Sequence, residues 1–467
     1  MSDPLGEKLL RSGIIDAKKL EKALEKQKTT GGRLGENLIA LGYLDKETLD
    51  QFFKRNPPNA RTVEETGLEV SQIEDLLMKH MLFMGDFKIA DLAERSKLSS
   101  SVVETVMEAL RRDKFIEVKG GTGYAAVTYT FKISDTGKIR AGELLDLCRY
   151  TGPAPVSLDD YRIMVQTQTV KSAIVSEELV KKAFSHLILN ETVIKRLGPA
   201  ISSGKAMFIY GPPGNGKTAI AETISRLIPD TIYIPYALTV GGEIITVFDP
   251  VNHTPVQSEP DESIDKRWVL VKRPVVITGG ELTLRMLDLD FNHISKYYEA
   301  SLQMKANNGI FIADDFGRQQ VEPQNFLNRW IVPLDRRIDF MTLHTGMKFA
   351  IPFDMLTIFS TNLEPKSLVD EAFLRRIPYK IKIDHPSERE YEAIFQMFCR
   401  DSGIDFNGET FNYLMDNYYR KNNIKLNACH PRDIVEQIIV NARYYRRPPK
   451  MSKEAIHEAW NNYFVEM

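Results

Sequence analysis

Eight consecutive residues carry the most specific chemistry in the chain: Gly211, Pro212, Pro213, Gly214, Asn215, Gly216, Lys217 and Thr218. The glycines let successive backbone N–H groups curl around a phosphate, and a helix starting directly behind them adds the positive end of its dipole. Lys217 then reaches the β- and γ-phosphates of a nucleoside triphosphate, and the Thr218 hydroxyl ligates Mg²⁺. This is a complete P-loop. Its surroundings agree, because the apolar run Ala206–Tyr210 reads as a strand and an amphipathic helix is expected from Thr218 to about Leu227. A chance glycine-rich turn would not bring both flanks with it.

A second group of residues fits the same site. The run Gly309–Ala313 is an apolar strand that ends in Asp314 and Asp315, as ligand-binding strands in α/β sheets end. Asp314 is expected to hold the Mg²⁺ through water, and Asp315 stands where a general base for the attacking water belongs. Another apolar strand, Met355–Ser360, delivers Asn362 to the same sheet edge. Arg375 and Arg376 end a short helix, and Arg432 follows Cys429, His430 and Pro431 at the start of a later one. Cys429 and His430 read as packing residues, because no second Cys/His cluster completes a metal site.

These groups need several supporting elements. At 467 residues the chain exceeds one ordinary core, so two to four domains are expected. A net charge of −2 gives no global attraction to nucleic acid or anionic lipid, so any such binding needs a local patch. Three scattered cysteines, Cys148, Cys399 and Cys429, exclude a disulfide framework and fit a reducing cytoplasm. No leader or membrane-length apolar run is read, so no integral membrane contact is expected.

Residues 1–56 form a repeat. Gly6 pairs with Gly35, Leu9 with Leu38, Gly13 with Gly42 and Asp16 with Asp45, all 29 residues apart. Each copy reads as a short helix ending at a glycine, then a longer helix capped by the Asp. Beyond a polar linker, residues 71–82, 88–95 and 99–112 read as three helices, Ser99 or Ser100 capping the last, with β-rich pieces to Ile133. A breaker cluster at Tyr150–Pro155 opens the main domain, 151–384, within which about Gly241 to Leu287, including Val275–Thr278, reads as a β-rich insertion. A helical lid, 385–467, opens with a capping box at Ser387 and Glu390.

The repeat resembles the MshEN-type N-terminal domain of type II secretion and type IV pilus assembly ATPases, which binds cyclic di-GMP through tandem 24-residue motifs. Arg33, Leu34 and Gly35 match the motif's opening and Gln27 its closing glutamine, whereas Pro4 and Asn56 replace the other arginine and glutamine. The resemblance implies a cyclic di-GMP effector site at Gln27, Arg33, Leu34 and Gly35. Its alternative is a docking module of the same fold.

The middle domain, 67–150, resembles a winged helix. Ser100, Ser101, Glu104 and Glu108 on the front of its third helix favour protein contact over DNA. Residues 151–467 resemble AAA+ ATPases, and within them MoxR-like, chaperone-type ATPases linked to pilus assembly. That resemblance implies ATP and Mg²⁺, a homo-oligomeric and hexameric ring, and a protein client. It gives Asn362 as the residue orienting the water, Arg375 or Arg376 as a finger inserted into a neighbour's site, and Arg432 as a contact to the γ-phosphate. Related ATPases have Glu at the position of Asp315.

The expected fold is therefore multidomain: an α-helical repeat, a winged helix, and an α/β P-loop core with a helical lid. The expected function is an ATP-hydrolysing ring that remodels or assembles a protein client. A DNA-binding regulator that uses ATP as an assembly switch is the alternative.

Overall fold

The computed structural model describes residues 6, 9–10, 15–30, 34–45, 48, 56–121, 129–172, 175–259 and 261–464. Five parallel strands form the sheet that organises the site: β1 Met207–Tyr210, β2 Val275–Thr278, β3 Ile310–Ala313, β4 Leu356–Thr361 and β5 Tyr379–Lys382. Their spatial order is β2-β3-β4-β1-β5. Met207 pairs with Ile358 on one side and Tyr379 on the other, while Ile310 pairs with Leu356. Strands β3 and β4 are buried along their whole length, because helices cover both faces and the sequence answers with unbroken apolar runs.

Strands β1 and β4 lie side by side, yet the chain leaves them toward opposite edges of the sheet. That reversal opens a crevice at their carboxyl ends, where ligands of open α/β sheets bind. Helix α1, Lys217–Ser225, starts there, and helix α2, Pro323–Arg336, packs Phe326 and Trp330 against Phe311 and Phe359. Val275–Thr278 belongs to this sheet as β2, not to the β-rich insertion expected from sequence. As an edge strand it pairs on one side only and exposes Ile277, which produces the alternation of an ordinary half-buried strand.

A second β layer draws on the expected insertion and on segments on both sides of it. Thr231–Pro235 pairs antiparallel with Trp268–Lys272, and five short strands form a separate sheet that runs from Asp290–Asn292 to Val156–Ser157. Arg267 is 3% exposed within it. It is ion-paired with Asp265 at 2.8 Å and donates to the carbonyls of Thr66 and Pro155 at 2.9 and 3.0 Å. Asn59 Nδ2 donates to the Glu262 carbonyl and the Asp265 N–H donates to Pro57. The stretch 57–66 is thereby strapped onto the insertion.

Residues 70–147 contain helices Val70–Leu82, Ile89–Ser96, Ser100–Arg112 and Asp135–Leu147 around a three-stranded antiparallel sheet. Ser99 stands at the N-cap of Ser100–Arg112, but its hydroxyl meets Ser101 and makes no capping bond. Ser101 donates to the Arg61 carbonyl at 2.7 Å, so the front of this helix is tied to the strap.

Near the start of the chain, helices Ala17–Thr30 and Leu34–Ala40 share the buried residues Leu9, Ile15, Ala23, Leu38 and Leu44. Asp16 and Asp45 accept from the Lys19 and Thr48 amides at 2.8 and 2.6 Å, and Gly42 has φ 67°. Gln27 lies half-buried on the first of these helices, while Leu34 and Gly35 open the second. Arg33 and Pro4 lie outside the described residues.

The C-terminal unit is helical. Helix α3, Glu388–Asp401, opens with the capping box of Ser387 and Glu390, and helix α4 is His430–Tyr444. Together with Lys453–Tyr463 they enclose an aromatic core of Tyr391, Phe395, Phe411, Tyr419 and Trp460. Among the described residues no helix is long and apolar enough to cross a membrane.

Candidate active site

Each glycine of the loop between β1 and α1 has positive φ: 141° at Gly211, 75° at Gly214 and 79° at Gly216. A side chain at Gly211 would place Cβ 2.0 Å from the Ile383 carbonyl, so the loop can leave β1 this close to the end of β5 only with glycine there. Gly216 is the N-cap of α1, and Lys217 and Thr218 occupy its first turn. The Lys217 Nζ donates to the Pro212 carbonyl at 2.9 Å. Burial pushes its ammonium down from the ordinary lysine range, while the Asp315 and Asp314 carboxylates pull the other way. A bound phosphate would add compensating charge at this place.

The Thr218 Oγ1 donates to Asp314 Oδ2 at 2.9 Å, which joins the start of α1 to the end of β3. Both are hard oxygen donors, the kind Mg²⁺ takes, and water and phosphate oxygens would fill its remaining positions. Asp315 has φ 48°, a left-handed conformation uncommon outside glycine. Its turn is fixed from β4: the Phe316 N–H donates to Ser360 O at 2.7 Å, and Thr361 Oγ1 donates to Phe316 O at 2.6 Å. The Asn362 Nδ2 donates to Asp315 Oδ1 at 3.0 Å, so these two expected site residues are in direct contact.

A cavity of about 560 Å³ joins most of these groups, with Gly211, Pro212 and Asp314 set back from it. Pro213, Gly214, Asn215, Gly216, Lys217, Thr218, Asp315, Asn362 and Arg432 all border it. Arg432, on the first turn of α4, donates to Asp433 at 3.0 Å and leaves much of its guanidinium exposed. Arg375 and Arg376 do not border the cavity. Arg376 pairs with Asp335 of α2 at 2.7 Å, whereas Arg375 is exposed at the end of its helix. Cys429 packs its sulfur near the Tyr463 hydroxyl, and His430 is buried beside the Tyr419 hydroxyl; burial lowers His430 to about 4.

Sequence reasoning missed the apolar half of the cavity. Leu187, Ile188 and Leu189 form one wall, and Ile394, Met397 and Phe398 of α3 form another. The available signal was α3 itself, where Ala393, Ile394, Phe395, Met397, Phe398 and Cys399 exceed what a single core-facing stripe needs.

Residues 387–462, most of the helical C-terminal unit, match a family described as a domain of unknown function (DUF8689). A stretch of 51 residues, 11% of the chain, is 39% identical to the vesicle-fusing ATPase of Dictyostelium discoideum and spans 7% of that protein. Among solved structures, the RuvB Holliday junction branch migration motor of Thermotoga maritima aligns over 62% of this chain and 74% of its own. Its identity is 10% and its TM-score 0.35. NtrX from Brucella abortus aligns over 76% of this chain and 61% of its own, at 12% identity and a TM-score of 0.35.

Proposed function

We propose that the chain binds and hydrolyses Mg·ATP in an AAA+-type core and uses the cycle to remodel or assemble a protein client. The observation that carries this reading is the pairing of Thr218 with Asp314 and of Asn362 with Asp315, with Thr218, Asp315 and Asn362 bordering the same cavity as the P-loop. In this reading the loop amides and Lys217 hold the phosphates, Thr218 and Asp314 hold Mg²⁺, and Asp315 takes the proton of a water that Asn362 orients. Arg432 meets the γ-phosphate from the helical unit. Asp315 is one methylene shorter than glutamate, so the water must lie closer to the backbone of β3.

Turnover in a ring would also need an arginine from the neighbouring copy. Arg375 suits that role better than Arg376, whose guanidinium is engaged by Asp335. Lys217→Ala should abolish Mg·ATP binding, while Asp314→Asn keeps much of the binding and loses hydrolysis. An Arg375→Ala/Arg376→Ala chain should bind ATP, turn over poorly, and partly recover when mixed with the Lys217→Ala chain. Wild-type activity in Lys217→Ala and Asp314→Asn would refute the site. Concentration-independent turnover by a monomer would refute the trans arginine.

The finer part of the proposal is a client in pilus or secretion machinery and cyclic di-GMP as effector, supported by the sequence of the N-terminal repeat. Calorimetric titration of cyclic di-GMP into the wild type and Arg33→Ala tests it, and absence of heat with the wild type would leave the repeat as a docking module. For the middle domain, the bond from Ser101 to Arg61 counts against the DNA-regulator alternative, because the front of that helix is already covered by the chain's own strap.

A further inference from the structure

Asn215 sits inside the P-loop and borders the cavity, yet its side-chain oxygen is taken by the helical unit. It is 4% exposed, and its Oδ1 accepts the Ala428 backbone N–H at 3.0 Å. Next to this bond the Cys429 N–H donates to the Gly214 carbonyl at 2.8 Å. Two adjacent amides just ahead of α4 therefore bond to two adjacent residues of the P-loop.

The partner segment is also fixed on its own side. The Leu426 carbonyl is held by His385 Nδ1 at 2.9 Å. His430 Nδ1 meets the Tyr419 hydroxyl at 3.0 Å, and that hydroxyl meets Tyr391, both tyrosines being buried in the helical core. Arg432 follows two residues after His430 and borders the cavity. Residues 426–430 thus move with the helical unit, and swinging that unit away from the sheet must break both bonds to the P-loop.

We infer that Asn215 is a positioning residue that couples the shape of the P-loop to the placement of the helical unit, and through that unit to Arg432. The inference rests on the nucleotide reading above. An amide side chain suits this role because its oxygen reaches across to a backbone N–H while its nitrogen points back at the Pro212 carbonyl, 3.4 Å away. Its effect on turnover is indirect and requires Arg432.

A double-mutant cycle on the full chain tests this, with steady-state ATP hydrolysis and Mg·ATP binding as readouts and circular dichroism to verify folding. Asn215→Ala should lower kcat about tenfold, equal to about 1.4 kcal/mol, with the affinity for Mg·ATP changed less than about threefold. In the Arg432→Ala background the same substitution should cost less than about twofold. Asn215→Ser, which keeps an acceptor oxygen, should fall between wild type and Asn215→Ala. Equal losses in the two backgrounds, or an unchanged kcat in Asn215→Ala, would overturn the inference. So would loss of Mg·ATP binding in folded Asn215→Ala, since that assigns the side chain to the phosphates directly. A wild type that binds no Mg·ATP overturns the nucleotide reading itself, an outcome distinct from all of these.

Discussion

Gly214 offers a perturbation whose cost separates into two parts. Its φ is 75°, and a Cβ built there lies 2.6 Å from the Cys429 sulfur, with Asn427 Cβ and Cys429 Cβ next at 3.6 and 3.7 Å. Placing alanine in left-handed backbone costs about 1–2 kcal/mol. Forcing a methyl into a filled site costs about 1–3 kcal/mol, and the lower end applies because the sulfur is the tip of a rotatable side chain. Gly214→Ala should therefore destabilise the protein by about 2–3 kcal/mol. Adding Cys429→Ala removes the sulfur and leaves only contacts of ordinary length, so the steric part should return while the backbone part stays. Urea denaturation of the wild type, both single variants and the double variant measures the split, and Mg·ATP titration should weaken with Gly214→Ala. Wild-type stability in Gly214→Ala would refute the reasoning, as would a cost of Gly214→Ala that is equally large in the Cys429→Ala background.

Acidification should destabilise the fold. Burial holds His430 down at about 4 from an ordinary 6.5 and also lowers His253 and His80. Unfolded chains therefore bind more protons than folded ones in that window. The stability is complete above pH 6.5 and is lost as pH falls toward 4, with His430 contributing about 3 kcal/mol. A denaturation midpoint that does not move between about pH 7.5 and 4.5 would contradict this. Arg267→Ala should cost about 3–5 kcal/mol, because it leaves the Asp265 carboxylate buried without its cation. Denaturation would show this, accompanied by faster tryptic cleavage near Arg61, and a loss below about 1 kcal/mol would count against it. Arg375→Ala should reduce turnover more than Arg376→Ala, and the reverse order would assign the finger to the residue paired with Asp335.

The placement of Gly211–Thr218, Asp314, Asp315 and Asn362 at one sheet edge was legible because each belongs to a short contiguous run at the end of an apolar strand, and the strand-end rule brings such runs together. Strand β2 was not assigned correctly, for a physical reason. At the sheet edge it buries Val276 and Thr278 and leaves Ile277 out, so its periodicity equals that of a strand in the insertion, and only pairing with β3 distinguishes them. The apolar wall of the cavity was hidden differently. Met397 and Phe398 serve a concave surface shared between two units, which no single-helix pattern announces. Asn215 was legible as one of the eight P-loop positions, but the bond of its side chain to Ala428 was not, because the direction of a side chain is not written in spacing.

The strap formed by residues 57–66 has a consequence for the birth of the chain. Its partners, the Glu262 carbonyl and the Arg267 guanidinium, lie 203 and 201 residues downstream of Asn59 and Thr66. At the usual pace of synthesis the strap waits roughly 10–40 s for them to leave the ribosome. During that interval the first two modules can be made and folded and Arg61 can already meet Ser101, but Asn59 and the Thr66 carbonyl still lack their partners. The side of the strap that faces the insertion is therefore open on the nascent chain until Glu262 and Arg267 have been translated.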